Sequence, residues 1–181
     1  MNKNLVFRYS PLSKLIHWLT AFLVISMLSV GFFLNDIPEQ FKGIAYMLHK
    51  STGITILFIM IVRLTWIILH GKPKLPPFIK PWEQNVSRIV YFSLYLFLFV
   101  MPLSGWIMSV AANKIPEYFG MFKAPLPWVG SNKPLAGLMS NAHEIIAWIL
   151  IVLITVHVLV ILKHPIKGNN SILKRMLPSK R

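Results

Sequence analysis

The chain has 181 residues, 55% of them hydrophobic and 13% charged, with a mean hydropathy of +0.61. The charged share is about half that of an ordinary soluble domain, which excludes one. The lack of cysteine excludes disulfides, thiolate-ligated iron–sulfur clusters and covalent haem attachment through a C-x-x-C-H run.

A basic N-terminus (Lys3, Arg8, Lys14) leads into the first predicted span, Leu15–Leu34. A basic start before an apolar run also describes a signal peptide. This apolar core is too long for one, no small-residue cleavage site follows it, and cleavage would discard His17. Loop 1 (Asn35–Leu48) is short, and the second span is His49–Leu69. Loop 2 (His70–Arg88) holds Pro73, Pro76, Pro77 and Pro81, so it is expected not to be helical throughout and to run extended along the surface. The third span is Ile89–Ala112. Loop 3 (Asn113–Asn141) is the longest, and prolines at 116, 125, 127 and 134 break it into short pieces. Its Tyr118, Phe119, Phe122 and Trp128 are expected in the membrane interface or over the bundle mouth. The fourth span is Ala142–Leu162. Each block has roughly the 20 residues a helix needs to cross the hydrocarbon core. The expected fold is all-α: an integral membrane four-helix bundle, one domain over residues 1–181, with spans at approximately 15–34, 49–69, 89–112 and 142–162.

The net charge of +14 invites a nucleic-acid reading, which its distribution removes. Thirteen of the nineteen Lys and Arg fall in the N-terminus, loop 2 (Lys72, Lys74, Lys80, Arg88) and the tail from Lys163 onward. Lys42, Lys50, Lys114, Lys123 and Lys133 belong to loops 1 and 3 and the start of the second span, where Asp36, Glu39, Glu117 and Glu144 nearly cancel them. This is the positive-inside pattern: both termini and loop 2 cytoplasmic, loops 1 and 3 outward.

Four of the six histidines, His17, His49, His143 and His157, lie inside or at the ends of these spans. An ionisable group there is costly and marks function by default. His143 and His157 are fourteen residues apart, about 40° short of four helical turns with a rise of ~21 Å. Both therefore face one side near opposite membrane surfaces. Span polarity matches depths in pairs: His17 with His157 near the inner surface, His49 with His143 near the outer. Each pair can supply two axial imidazoles to one haem iron, so the expected cofactors are two b-type haems. Arg63, fourteen residues after His49, shares its face at the inner level and needs an anion such as a haem propionate. Gly53, one turn from His49, leaves room for a flat macrocycle; Pro102 and Gly105 could shape a similar gap. Glu144 is read as a solvated outer acid that could orient the His143 ring. Met47, Met101 and Met108 are alternative axial ligands or core filling. A hydrogen-bonded polar core or proton pathway remains the alternative for the four histidines. A zinc or copper site lacks a third ligand near either pair.

His164 lies seven residues after His157, on the same face and about 10 Å further toward the cytoplasm. It could hydrogen-bond a quinone oxygen and supply a proton, with Lys80 opposite and Trp82 and His70 lining the pocket. A surface histidine in a basic stretch is the other reading.

The stretches YSPLSKLIHWLTA, MLHKSTGITILFIMIVRL, MPLSGWIMS and AHEIIAWILIVLITVHVLVILKH resemble the bacterial cytochrome b561 family over essentially the whole chain. The resemblance implies four helices holding two b haems, His17 with His157 and His49 with His143, in the bacterial inner membrane. It also implies electron transfer with membrane quinone: superoxide or another small outer-face donor oxidised outside, ubiquinone reduced near the inner haem. His164 and Lys80 then become the quinone candidates. The competing reading is a cytochrome b anchor subunit linking a periplasmic dehydrogenase to the quinone pool. The partners expected are haem, ubiquinone, the outer-face donor, membrane lipid and, for an anchor, a periplasmic redox protein; nucleic acid is not among them.

Overall fold

The computed structural model describes residues 9–71, 80–163 and 173–177. Helix α1 (Pro11–Phe33) opens on Ser10, whose hydroxyl accepts the Ser13 N–H at 3.2 Å, with Pro11 in the first turn where no N–H is needed. Helix α2 (Glu39–His70) ends at Gly71, whose φ of +74° turns the chain while its N–H bonds the Ile67 carbonyl at 2.9 Å. Helix α3 (Pro81–Ala111) starts on a proline, and the Glu83 carboxylate accepts the Lys80 backbone N–H at 3.3 Å. Helix α4 (Lys133–Lys163) is preceded by Asn132, whose side-chain oxygen accepts the Leu135 N–H at 3.0 Å.

These helices outrun the apolar blocks. The start of α2 takes in residues expected in loop 1, α3 begins inside loop 2, and α4 begins inside loop 3. Hydropathy sees only the part of a helix that sits in hydrocarbon. At 32 residues, α2 is ~48 Å long, well beyond a ~30 Å core. The extended course expected for loop 2 falls mainly on residues 72–79, outside those described.

Helix α3 packs along α4, and α2 packs on both α1 and α3. The core is one cluster, Val24, Ile56, Met60, Leu98, Ile146 and Leu150, in the middle of the bundle. The outward faces are as apolar as the core: Phe22, Leu69 and Phe92 are about two-thirds or more exposed. Helices apolar on every side are stable in hydrocarbon and not in water. All four are long and apolar enough to cross a membrane, and the chain is a multi-pass membrane protein.

Loop 3 is folded. Its strands β1 (Glu117–Tyr118) and β2 (Phe122–Lys123) form an antiparallel hairpin. Phe119 (φ +46°) and Gly120 (φ +73°) make the turn, with the Met121 N–H on the Tyr118 carbonyl at 2.9 Å. Positive φ at both central residues suits the right-handed twist of a hairpin. Glycine adopts it freely and phenylalanine does not. The strain is held from below by Ser51, fully buried on α2, whose hydroxyl accepts the Phe119 N–H at 2.8 Å and donates to the Glu117 carbonyl at 3.1 Å. Trp106 of α3 donates its indole N–H to the Ala124 carbonyl at 2.9 Å. Tyr118 thus sits over the bundle mouth, its hydroxyl 3.1 Å from Thr55.

At the opposite end the chain returns to α1. A short 3-10 turn, Leu173–Arg175, is tied there: Lys14 donates to the Leu177 carbonyl at 3.0 Å and the Trp18 indole to the Met176 carbonyl at 2.9 Å.

Candidate functional site

The helices bring the four span histidines together in two couples. His17 of α1 meets His157 of α4 with ring centroids 6.5 Å apart. His49 of α2 meets His143 of α4 at 6.3 Å. In both couples the ring planes cross at 67°. Rings joined by a direct hydrogen bond of about 2.9 Å would stand roughly 5.2 Å apart. Imidazole nitrogens about 2 Å from a metal on opposite sides, with ring centres roughly 1.2 Å further out, give roughly 6.4 Å. Both couples therefore fit one ion between two imidazoles. Among the described residues no three His, Cys, Asp or Glu side chains gather in one place, so the tetrahedral zinc arrangement has no donor set there.

The space around His49 and His143 fits a large flat ligand. These two residues line a cavity of about 920 Å³, together with Gly31, Gly53 and Gly105. That lies toward the upper end of small-molecule sites. A Cβ on Gly53 would meet nothing within 4 Å, so that position opens on the cavity. A Cβ on Gly105 would come within 2.9 Å of His143 Cε1, so only glycine lets the ring stand there. A Cβ on Gly31 would lie 3.6 Å from His49 Cε1; the sequence reading did not single out this glycine. Nδ1 of His49 is buried with no hydrogen-bond partner among the described residues, and an orphaned buried nitrogen in a cavity wall calls for a ligand.

His143 is held by α3. Its Nδ1 lies 3.1 Å from the Met101 carbonyl and 3.0 Å from the Ser104 hydroxyl, which itself donates to Met101 at 2.7 Å. A carbonyl only accepts, so Nδ1 carries the hydrogen and Nε2 keeps its lone pair for a metal. Glu144 is exposed, and the polar neighbours of the ring nitrogen are Ser104 and Met101. The sequence reading missed Ser104. Its signal is a hydroxyl three residues after Met101 in an apolar span.

His17 is in the reverse state. Arg63 places Nη2 3.0 Å from His17 Nδ1 and its guanidinium 5.3 Å from the centre of the Tyr95 ring. A guanidinium only donates, so here Nδ1 accepts and the hydrogen sits on Nε2. Tyr91 stands edge-on to His157 at 5.7 Å.

His70 and Lys80 lie at helix ends. His70 stacks on Trp66 at 3.7 Å, exposed at the end of α2. Lys80 is exposed before α3. His164 lies outside the described residues, so its approach to Lys80 does too.

A profile of the family described as prokaryotic cytochrome b561 matches residues 8–179. The chain is similar to "Cytochrome b561 homolog 2" of Escherichia coli (strain K12), 32% identical over 174 residues, covering 94% of this chain and 91% of the relative. It is similar to "Probable superoxide oxidase CybB" of Yersinia pestis, 26% identical over 174 residues, covering 96% and 98%. It is also similar to "Probable Ni/Fe-hydrogenase B-type cytochrome subunit" of Rhizobium leguminosarum bv. viciae, 20% identical over 223 residues, covering all of this chain and 90% of the relative. The chain belongs to the prokaryotic cytochrome b561 family and is a membrane cytochrome of b type that works in electron transfer.

Proposed function

We propose that this protein moves electrons across the bacterial inner membrane, from a donor at the outer face, superoxide favoured, to ubiquinone at the cytoplasmic side, with two non-covalent b haems as carriers. The observation that carries this reading is the pair of histidine couples, each spaced for one ion and set fourteen residues apart along α4. That spacing separates them by ~21 Å along the helix. Haem supplies one-electron redox chemistry at each level. The roles proposed for the chain's residues follow. His17 and His157 hold one haem, and His49 and His143 the other. Gly53 leaves room for the macrocycle, and Arg63 meets a propionate. Outer-sphere transfer needs no nucleophile or general base at the outer face. Quinone reduction needs protons, for which His164 and Lys80 are the proposed candidates on the cytoplasmic side.

The membrane orientation is part of the proposal. It is supported by the thirteen basic residues in the termini and loop 2, and by the meeting of the C-terminal turn with the start of α1. Superoxide as donor is favoured by the Yersinia pestis relative's name.

Protein purified in mild detergent should contain two b haems per chain by pyridine haemochrome. His143→Ala and His157→Ala should each lose one. Superoxide should then reduce the haems, and ubiquinone should reoxidise them. Absence of haem, or reduction by quinol but not by superoxide, would overturn the reading or its donor respectively. The second reading is an anchor subunit. It is favoured by the hydrogenase cytochrome subunit among the relatives and by Phe122 and Trp128, exposed on loop 3. It requires a large redox subunit to co-purify stoichiometrically.

A further inference from the structure

The cavity between His49 and His143 also carries two lysines. Lys50 follows His49 on α2, and Lys114 stands where loop 3 leaves α3; both line the same space as the two rings. The end of α3 brings them together. Asn113 takes a φ of +58°, which asparagine tolerates better than most residues. The chain turns there, and the Lys114 N–H bonds the Ser109 carbonyl at 2.9 Å. The Lys114 carbonyl then accepts from the Ser109 hydroxyl and from Lys50 Nζ, the latter at 3.2 Å. What joins the two residues is thus the main chain of Lys114, and neither charge is neutralised by the contact.

Lys50 is half-buried. An ammonium carries three hydrogens, and the Lys114 carbonyl takes one of them. Among the described residues no carboxylate pairs with Lys50 or Lys114, whereas Lys42, also on the cavity wall, is paired with Glu39 at 2.9 Å. The other acid on the wall, Glu144, follows His143 on α4 and would repel an anion. Two cations at one edge of the cavity repel each other and attract a ligand with two negative groups. Haem b has that form, with two propionates on one edge. An imidazole on each face fixes its centre but not its rotation about the line through the iron. The lysine edge supplies what the histidines do not, with ammonium groups acting as point charges.

We propose that Lys50 and Lys114 seat the propionate edge of the haem between His49 and His143, and so set its rotation between the two rings. The inference rests on the reading above that these histidines hold a haem.

The test isolates that haem in a His157→Ala background and follows its propionate-bending band by resonance Raman in the purified protein. Lys114→Met keeps the main-chain bonds of residue 114 and removes only the charge. Lys50→Met removes the other charge, and Lys50→Arg restores it. Both Met variants should shift the propionate band, while the bands that report two axial imidazoles stay in place. Each should also release haem to excess apomyoglobin roughly five-fold faster, and Lys50→Arg should return close to the parent rate. In a His143→Ala background, where the other haem remains, the same substitutions should move neither band nor rate. A propionate band unmoved in both Met variants would overturn the proposal and leave the two-haem reading standing. So would equal effects in the two backgrounds, which mean a general loosening of the bundle. Loss of the haem from Lys50→Met supports the proposal if Lys50→Arg regains it and overturns it if not. A His157→Ala protein without any haem overturns both.

Discussion

The imidazole of His143 is fixed from two sides. Ser104 and the Met101 carbonyl hold Nδ1, and Gly105 leaves Cε1 the room it occupies. All three come from one turn of α3, the helix that supplies no histidine. A Cβ at position 105 would stand 2.9 Å from Cε1. A free side chain would swing away from such a contact at small cost. This one would have to break its hydrogen bonds to do so, and those bonds set the tautomer that presents Nε2. On the two-haem proposal, Gly105→Ala should therefore cost the protein the haem proposed at His49–His143 and spare the other. The pyridine haemochrome would fall from two haems per chain to one, and α-helical circular dichroism would stay at the wild-type level. Two haems retained in Gly105→Ala would mean that the ring has slack, and that Ser104 and Met101 do not position it.

At the scale of elements, loop 3 shows what side chains of a helix can impose on a connection. Its hairpin has strands of two residues, too short to stand alone. It is clamped through one hydroxyl, that of Ser51. Ser51→Ala would remove the partner of the Phe119 N–H and of the Glu117 carbonyl, a local cost of about 1 kcal/mol each, under a Phe119 already at positive φ. Amide exchange across residues 117–124 should quicken by an order of magnitude or more, while both haem bands persist. Unchanged exchange would show that Trp106 and the turn suffice. The clamp also explains what could be read beforehand. Four helices were legible because twenty apolar residues in a row admit one fold in a membrane. Their true ends were not, since the Glu39–Leu48 part of α2 is polar enough to pass for a loop. The hairpin was not either, because what holds it comes from residues 51 and 106, more than ten positions away. The histidine couples were legible from the fourteen-residue spacing on α4 together with the polarity of the spans. Ser104, which meets His143 only across two helices, was not.

For the whole molecule, the two ends of the bundle differ in kind. At the His49 end the cavity opens beneath a folded strap and the fixed ring is held by neutral groups. At the His17 end Arg63 contacts His17, and the returning tail is tied to α1 at Lys14 and Trp18. A carrier that takes an electron on one side and delivers it on the other must be mounted one way round. The charge pattern supports the orientation proposed above, with the basic termini and loop 2 on the cytoplasmic side, because moving Lys and Arg across the membrane is unfavourable. The chain contains no cysteine, so single cysteines can report each end without background. Ser131→Cys lies on loop 3 and Asn85→Cys near the start of α3, both at exposed positions. In spheroplasts, a membrane-impermeant maleimide should label the first at once and the second only after lysis. The opposite pattern would turn the bundle over. The strapped cavity would then face the cytoplasm, and the outer-face donor and the cytoplasmic quinone would have to exchange places.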